Sequence, residues 1–183
     1  MDPIKQAYKT FSNLIPWSNF QTKLALLPEK KKWRFIRSSL MYQQAMKCKK
    51  CNPNIAMSLL CSCAESLKIL GTRVGSRRNF EALYLRHCPQ PLRIAPMKYY
   101  PNKAVHAVPA PFSKALFYIY KKFRCLYTHE GIGRLQQLKK SGKTHIINNS
   151  LLDVAGNDAY SIDLLKVLDW FAGITKSSLF QSL

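Results

Sequence analysis

Residues 112–131 place Leu116, Ile119, Tyr120, Phe123, Leu126 and Tyr127 at spacings of three and four. That period puts them on one face of an amphipathic helix. Ser113 is expected to cap its start with a side-chain acceptor, and Gly131 stands where a left-handed closing residue is wanted. A helix with so wide an apolar stripe has to be covered by other elements. Arg124 and His129 come late on this stretch and are followed by Glu130. On an ideal helix five residues turn the two side chains roughly 140° apart. They meet at one site only if the last turn loosens or a second copy of the helix packs alongside.

Arginine and histidine suit phosphodiester chemistry. A guanidinium binds a phosphate through paired hydrogen bonds and stabilises charge that develops on it. An imidazole titrates near neutrality and takes or gives a proton. With a ribose 2′-hydroxyl as nucleophile, such a pair works without a metal. A second stretch, 54–67, sets Glu65 among Leu59, Leu60, Cys63 and Leu67, late on another apolar helix. A carboxylate there needs a cationic partner if it is buried. Arg124 is one candidate, and nearby Lys68, on an exposed Glu65, is the other.

The segment from Phe123 to Gly131, with His129 following Arg124, resembles the signature of HEPN domains: an arginine followed by a histidine late in a long helix. The 54–67 stretch resembles the earlier helix of that family, and the order of the two segments is similar. The resemblance covers roughly residues 33–135. It implies a small all-helical bundle, a homodimer, and a metal-independent ribonuclease in which Arg124 binds the scissile phosphate and His129 is general acid or base. Glu65 would orient Arg124, and Glu130 or Tyr127 would assist. The family also contains inactive binding modules and antitoxin-like partners. Cys125 departs from the polar residue that follows the arginine in many active members.

The 29 Lys and Arg against 9 Asp and Glu give a formal charge of +20 on 183 residues. Such a surplus repels itself unless a polyanion neutralises it, and RNA is the first candidate. The basic residues concentrate in the front and middle of the chain, while 151–183 are roughly balanced. The apolar share of 47% argues against wholesale disorder. No run approaches the roughly 20 apolar residues of a membrane span, and the first residues lack a signal-peptide pattern. The expectation is a cytoplasmic protein with reduced thiols. Cys48 and Cys51 have a spacing that zinc sites use, but Cys61 and Cys63, two apart on a helix, point different ways. They are read as packing residues, with zinc at the four left as the alternative. Gly142-Lys143-Thr144 lacks the earlier glycine of a phosphate-binding loop, since Gln137 stands there.

Read in order, residues 1–27 are a basic-aromatic arm that packs on the domain or orders on a partner. The helical domain spans 28–183. Its helices are expected from Pro28 to about Cys48, from Pro53 to about Leu70, from about Arg77 to His87, and over about 161–179, the last capped by Ser161 and apolar nearly all round. Residues 88–112 hold six prolines and read as an irregular connection, and 144–148 as a short strand. The fold expectation is all-α, an HEPN-like antiparallel bundle. Its RNA-holding edge is expected at Lys30, Lys31, Lys32, Arg34, Arg37, Arg73, Arg77, Arg78, Lys121 and Lys122. The expected activity is endonucleolytic, in a toxin, defence or RNA-processing setting. Two other readings stay open: a non-catalytic RNA-binding or ribonucleoprotein subunit, and a module neutralised by an acidic antitoxin-like protein. No cofactor is expected.

Overall fold

The computed structural model describes residues 2–125, 146–147, 150–155 and 158–183. The N-terminal segment forms α1 (Pro3–Tyr8), which Asp2 caps by accepting from the Ile4 N–H at 2.8 Å, and α2 (Trp17–Ala25) after Pro16. These residues, read as an arm, are packed along α3 (Glu29–Cys48). Phe11 and Phe20 are fully buried, and Phe11 stacks on Phe35 of α3 at 5.5 Å between ring centres. Gln43 of α3 donates to the Gln6 carbonyl at 2.6 Å and to the Thr10 hydroxyl at 2.9 Å, which ties the segment down.

Residues 49–52 return the chain into α4 (Pro53–Ser66). Asn52 accepts from the Ile55 N–H at 3.1 Å and Pro53 takes the first helical position, as expected for this start. α4 lies against α3, where the Cys63 thiol donates to the Ser38 carbonyl at 3.1 Å. It ends four residues before the expected Leu70, because Lys68 adopts φ 52° and breaks the winding. Gly71 follows at φ 104°, a conformation that favours glycine. The turn is held by Asn79 of α5 (Ser76–His87), which is fully buried. Its carboxamide accepts from the Leu70 N–H at 2.9 Å and donates to the Val74 carbonyl at 2.8 Å and the Gly71 carbonyl at 3.1 Å.

The fold is mostly helical, but the all-α expectation is corrected by an antiparallel sheet. Its strands β1 (Met97–Tyr100), β2 (Val108–Pro109), β3 (Ile146–Ile147), β4 (Ser150–Ala155) and β5 (Asp158–Ile162) are ordered β2-β1-β5-β4-β3. Part of the connection read as irregular therefore pairs, with Tyr99 opposite Tyr160. The four residues of β1 alternate in burial, Met97 and Tyr99 inward, which is the strand period. Tyr160 then stacks at 4.5 Å on Tyr118 of α6 (Phe112–Ile119) and fastens the sheet to the bundle. Because Ser161 and Ile162 belong to β5, the last helix, α7 (Leu164–Gln181), is capped by Asp163 and not by Ser161. The Asp163 carboxylate accepts from the Leu165 and Lys166 N–H groups. Val167, Leu168, Phe171, Ile174 and Leu179 of α7 are buried against α3, α4 and α5, and Thr175 meets the Tyr84 hydroxyl at 3.0 Å.

α6 also differs from its reading. It starts at Phe112 after Pro111, so Ser113 lies inside it and caps nothing. From Tyr120 to Cys125 the chain winds as a π-helix. Leu116, Ile119, Tyr120 and Phe123 are buried as the apolar face required. Leu126, Tyr127, His129, Glu130 and Gly131 lie outside the described residues.

Candidate functional site

The Glu65 carboxylate is only 7% exposed, a position that strongly disfavours an uncompensated charge. Its partner is Arg124. The Arg124 Nε donates to Oε1 at 2.9 Å and Nη2 donates to Oε2 at 3.2 Å, the two-point arrangement that fixes a guanidinium plane. This decides between the two partners named for Glu65, because Lys68 is not the one it pairs with. Burial disfavours the charge on Arg124, but the hydrogen bonds and charge of Glu65 outweigh that, so the guanidinium sits above its already high range. Helix α4 supplies Glu65, and the π-helical segment, which packs on α4, supplies Arg124. Single π turns cluster at functional sites.

Glu65 also lines a cavity of about 400 Å³ together with Arg34 and Arg37 of α3, Ser62 and Ser66 of α4, and Lys68 and Thr72 of the turn after it. Arg34 and Arg37 are one turn apart on α3, so both reach this edge. Two predicted groups, the 30–37 basic stretch and the Glu65–Arg124 pair, thus meet at one place. Arg77 lies over the Phe117 ring at 4.6 Å and Lys121 over the same ring at 5.7 Å, so Arg77 of the 71–78 stretch and Lys121 meet at one ring. Arg77 additionally pairs with Glu81 at 2.8 Å. Lys30, Lys31, Arg73 and Arg78 are exposed, and Lys32 is half-buried beside Glu29.

Lys122 is the exception among the expected RNA contacts. It is only 9% exposed, turned inward with Phe123 in the π-helical segment, and does not belong to the outer basic surface. Lys68, Thr72, Ser62 and Ser66 were not expected at the site. The signal for Lys68 was its place one turn after Glu65, at the end of an apolar helix. Cys61 and Cys63 are fully buried in the core, and burial pushes the Cys63 thiol far up. Among the described residues no group of three or more histidines, cysteines or acids is placed to hold a metal. Nor is any described helix long and apolar enough to cross a membrane. Comparison with family models, with curated proteins and with solved structures finds no match to this chain.

Proposed function

We propose that this protein is a metal-independent RNA endonuclease of HEPN type, acting where the Glu65–Arg124 pair meets the Arg34–Arg37 edge. The observation that carries this reading is the partly buried, two-point ion pair of Arg124 with Glu65, a residue that also lines a basic cavity. Arg124 binds the scissile phosphate, with its plane held by Glu65. The 2′-oxygen attacks phosphorus and gives its proton to a base. The bond from phosphorus to the 5′-oxygen breaks, and that oxygen takes a proton. The products are a 2′,3′-cyclic phosphate and a 5′-hydroxyl. His129 serves as the base or the acid, and Tyr127 or Glu130 assists. The basic edge of Lys30, Lys31, Arg34 and Arg37 carries the RNA backbone, and Arg73, Arg77, Arg78 and Lys121 extend it. A homodimer, in which two such sites face each other, is part of the proposal, as is a cytoplasmic setting.

A second reading has its own support. Cys125 after Arg124, and the cationic surplus of +20, suit a non-catalytic RNA-binding subunit in which the ion pair only braces the fold. Neutralisation by an acidic protein partner fits the same surplus. The deciding experiment is RNA cleavage in EDTA by wild type, Arg124→Ala and His129→Ala, with RNA binding measured on the same samples. Cleavage by wild type alone, with binding by His129→Ala intact, supports the nuclease. Salt-sensitive binding by all three without cleavage leaves the binding subunit.

A further inference from the structure

Lys68 lines two cavities. One is the basic cavity beside Glu65. The other, of about 250 Å³, lies between the start of α3, the end of α5 and the end of α7. Leu27, Phe35, Leu67 and Ile69 are its apolar residues, and Lys31, Lys68, Arg86 and His87 are the basic residues that line it. No acidic side chain lines it. Among the described residues Lys31, Arg34, Arg37, Lys68 and Arg86 enter no ion pair. Half-burial and the neighbouring Arg86 charge hold the His87 imidazole below its ordinary range, against a backbone hydrogen bond at Gln181 that raises it. Lys31 and Arg34 are one turn apart on α3, and so are Arg34 and Arg37, so a row of cations runs from this cavity to the other.

The chemistry of the two cavities differs. Every residue lining the one beside Glu65 carries a polar or charged side chain, although carbon stems supply part of its surface. The second combines an apolar wall with a cationic rim, which suits a flat apolar body attached to an anion. We propose that the second cavity is a nucleotide subsite: it takes one unpaired base of a single-stranded RNA against Leu27, Phe35, Leu67 and Ile69. The flanking phosphates then cross Lys31, Lys68 and Arg86 and continue onto Arg34 and Arg37. This deepens the proposed function and rests on it for the identity of the ligand. A base paired in a duplex is not available to the cavity, so the protein prefers single strands, and the subsite sets which phosphate reaches Arg124. Lys68 is the hinge of the arrangement. Its φ of 52°, stabilised through the Asn79 clamp on the turn that follows, sets it between the two cavities.

The test is fluorescence anisotropy in EDTA with a labelled 2′-O-methyl strand, which lacks the 2′-hydroxyl nucleophile and stays intact. It is compared with an abasic strand of equal length and charge. Wild type is expected to bind the base-bearing strand about tenfold or more tighter, the range of one well-seated base. Leu27→Asp is expected to bring that ratio close to one. Arg86→Glu, at an exposed position that leaves the fold intact, is expected to weaken the base-bearing strand about fivefold. Equal wild-type affinities for the two strands overturn the subsite, and so does unchanged binding by Arg86→Glu. If Leu27→Asp does not melt cooperatively, Ile69→Ala replaces it and is expected to at least halve the ratio; an unchanged ratio overturns the subsite. Cleavage with equal affinities sinks the subsite alone, whereas base-dependent binding without cleavage sinks only the nuclease.

Discussion

A carboxylate as enclosed as Glu65 is costly to bury without a cation beside it, and Arg124 is that cation. Removing one partner leaves the other charged and poorly solvated. Because the Arg124 side chain keeps 23% of its exposure, the cost is below that of a fully buried pair. Arg124→Ala is expected to lower stability by about 1–3 kcal/mol. A double-mutant cycle with Glu65→Ala, read by chemical denaturation, is expected to give a coupling of at least about 0.5 kcal/mol. A coupling of zero would mean that the two-point geometry contributes nothing. Glu65→Gln keeps the shape and one acceptor but loses the charge. It is expected to lower kcat of RNA cleavage while leaving RNA affinity within about threefold, because it acts through the orientation of Arg124. Loss of affinity in step with kcat would point to collapse of the cavity. The sequence showed that an acid inside an apolar stripe needs a cation if it is buried, but it left Arg124 and Lys68 as alternatives, and the structure chose Arg124. The π-helical winding at 120–125 was not legible, because no residue type announces it: Leu116, Ile119, Tyr120 and Phe123 fit the ordinary helical period equally well.

At the scale of elements, the turn between α4 and α5 is shaped by one buried amide. Asn79 spends both ends of its carboxamide on residues 70–75, so its loss strands several backbone groups at once. Asn79→Ala is expected to cost about 2–4 kcal/mol, on the order of 5–15 °C in Tm. It is also expected to weaken RNA binding, because Lys68 and Thr72 line the cavity from this turn. Asn79→Ala with unchanged Tm and affinity would show the clamp to be idle. The helices themselves followed from local chemistry: Asn52-Pro53 starts α4 and the stripe of Leu60, Cys63 and Leu67 buries it. The sheet did not. β1 is four residues long amid prolines, and its partner β5 lies some sixty residues on, so its pairing is a tertiary fact. The N-terminal aromatics left packing on the domain and ordering on a partner both open for a similar reason. Phe11 and Phe20, scattered around Pro16, look like an arm until Phe35 and Phe180 supply the rings they pack on.

For the whole molecule, the decisive quantity is where the +20 goes. Few of the 29 basic residues are spent on ion pairs among the described residues: Lys32, Lys49, Arg77, Lys114, Arg124 and Lys166 meet acids, and most others face solvent. A surface left so unneutralised binds a polyanion chiefly by releasing its counterions. If the phosphates of a single strand follow the row Arg86, Lys31, Lys68, Arg34 and Arg37, about five contacts form. The logarithm of affinity is then expected to fall with the logarithm of salt at a slope of about −3 to −4. Reversing both Arg34 and Arg37 to Glu is expected to flatten that slope by at least about 1, because two contacts turn repulsive. Reversing Lys166 and Lys98, which lie by the sheet, is expected to leave the slope nearly unchanged. The comparison separates a track from a diffuse field. Equal effects of the two double variants would mean that the charge acts as a whole and that RNA has no preferred path to Glu65 and Arg124. A loss confined to the α3 variant would put the strand over the cavity that Glu65 lines beside Arg124, which is what the chemistry proposed for Arg124 requires.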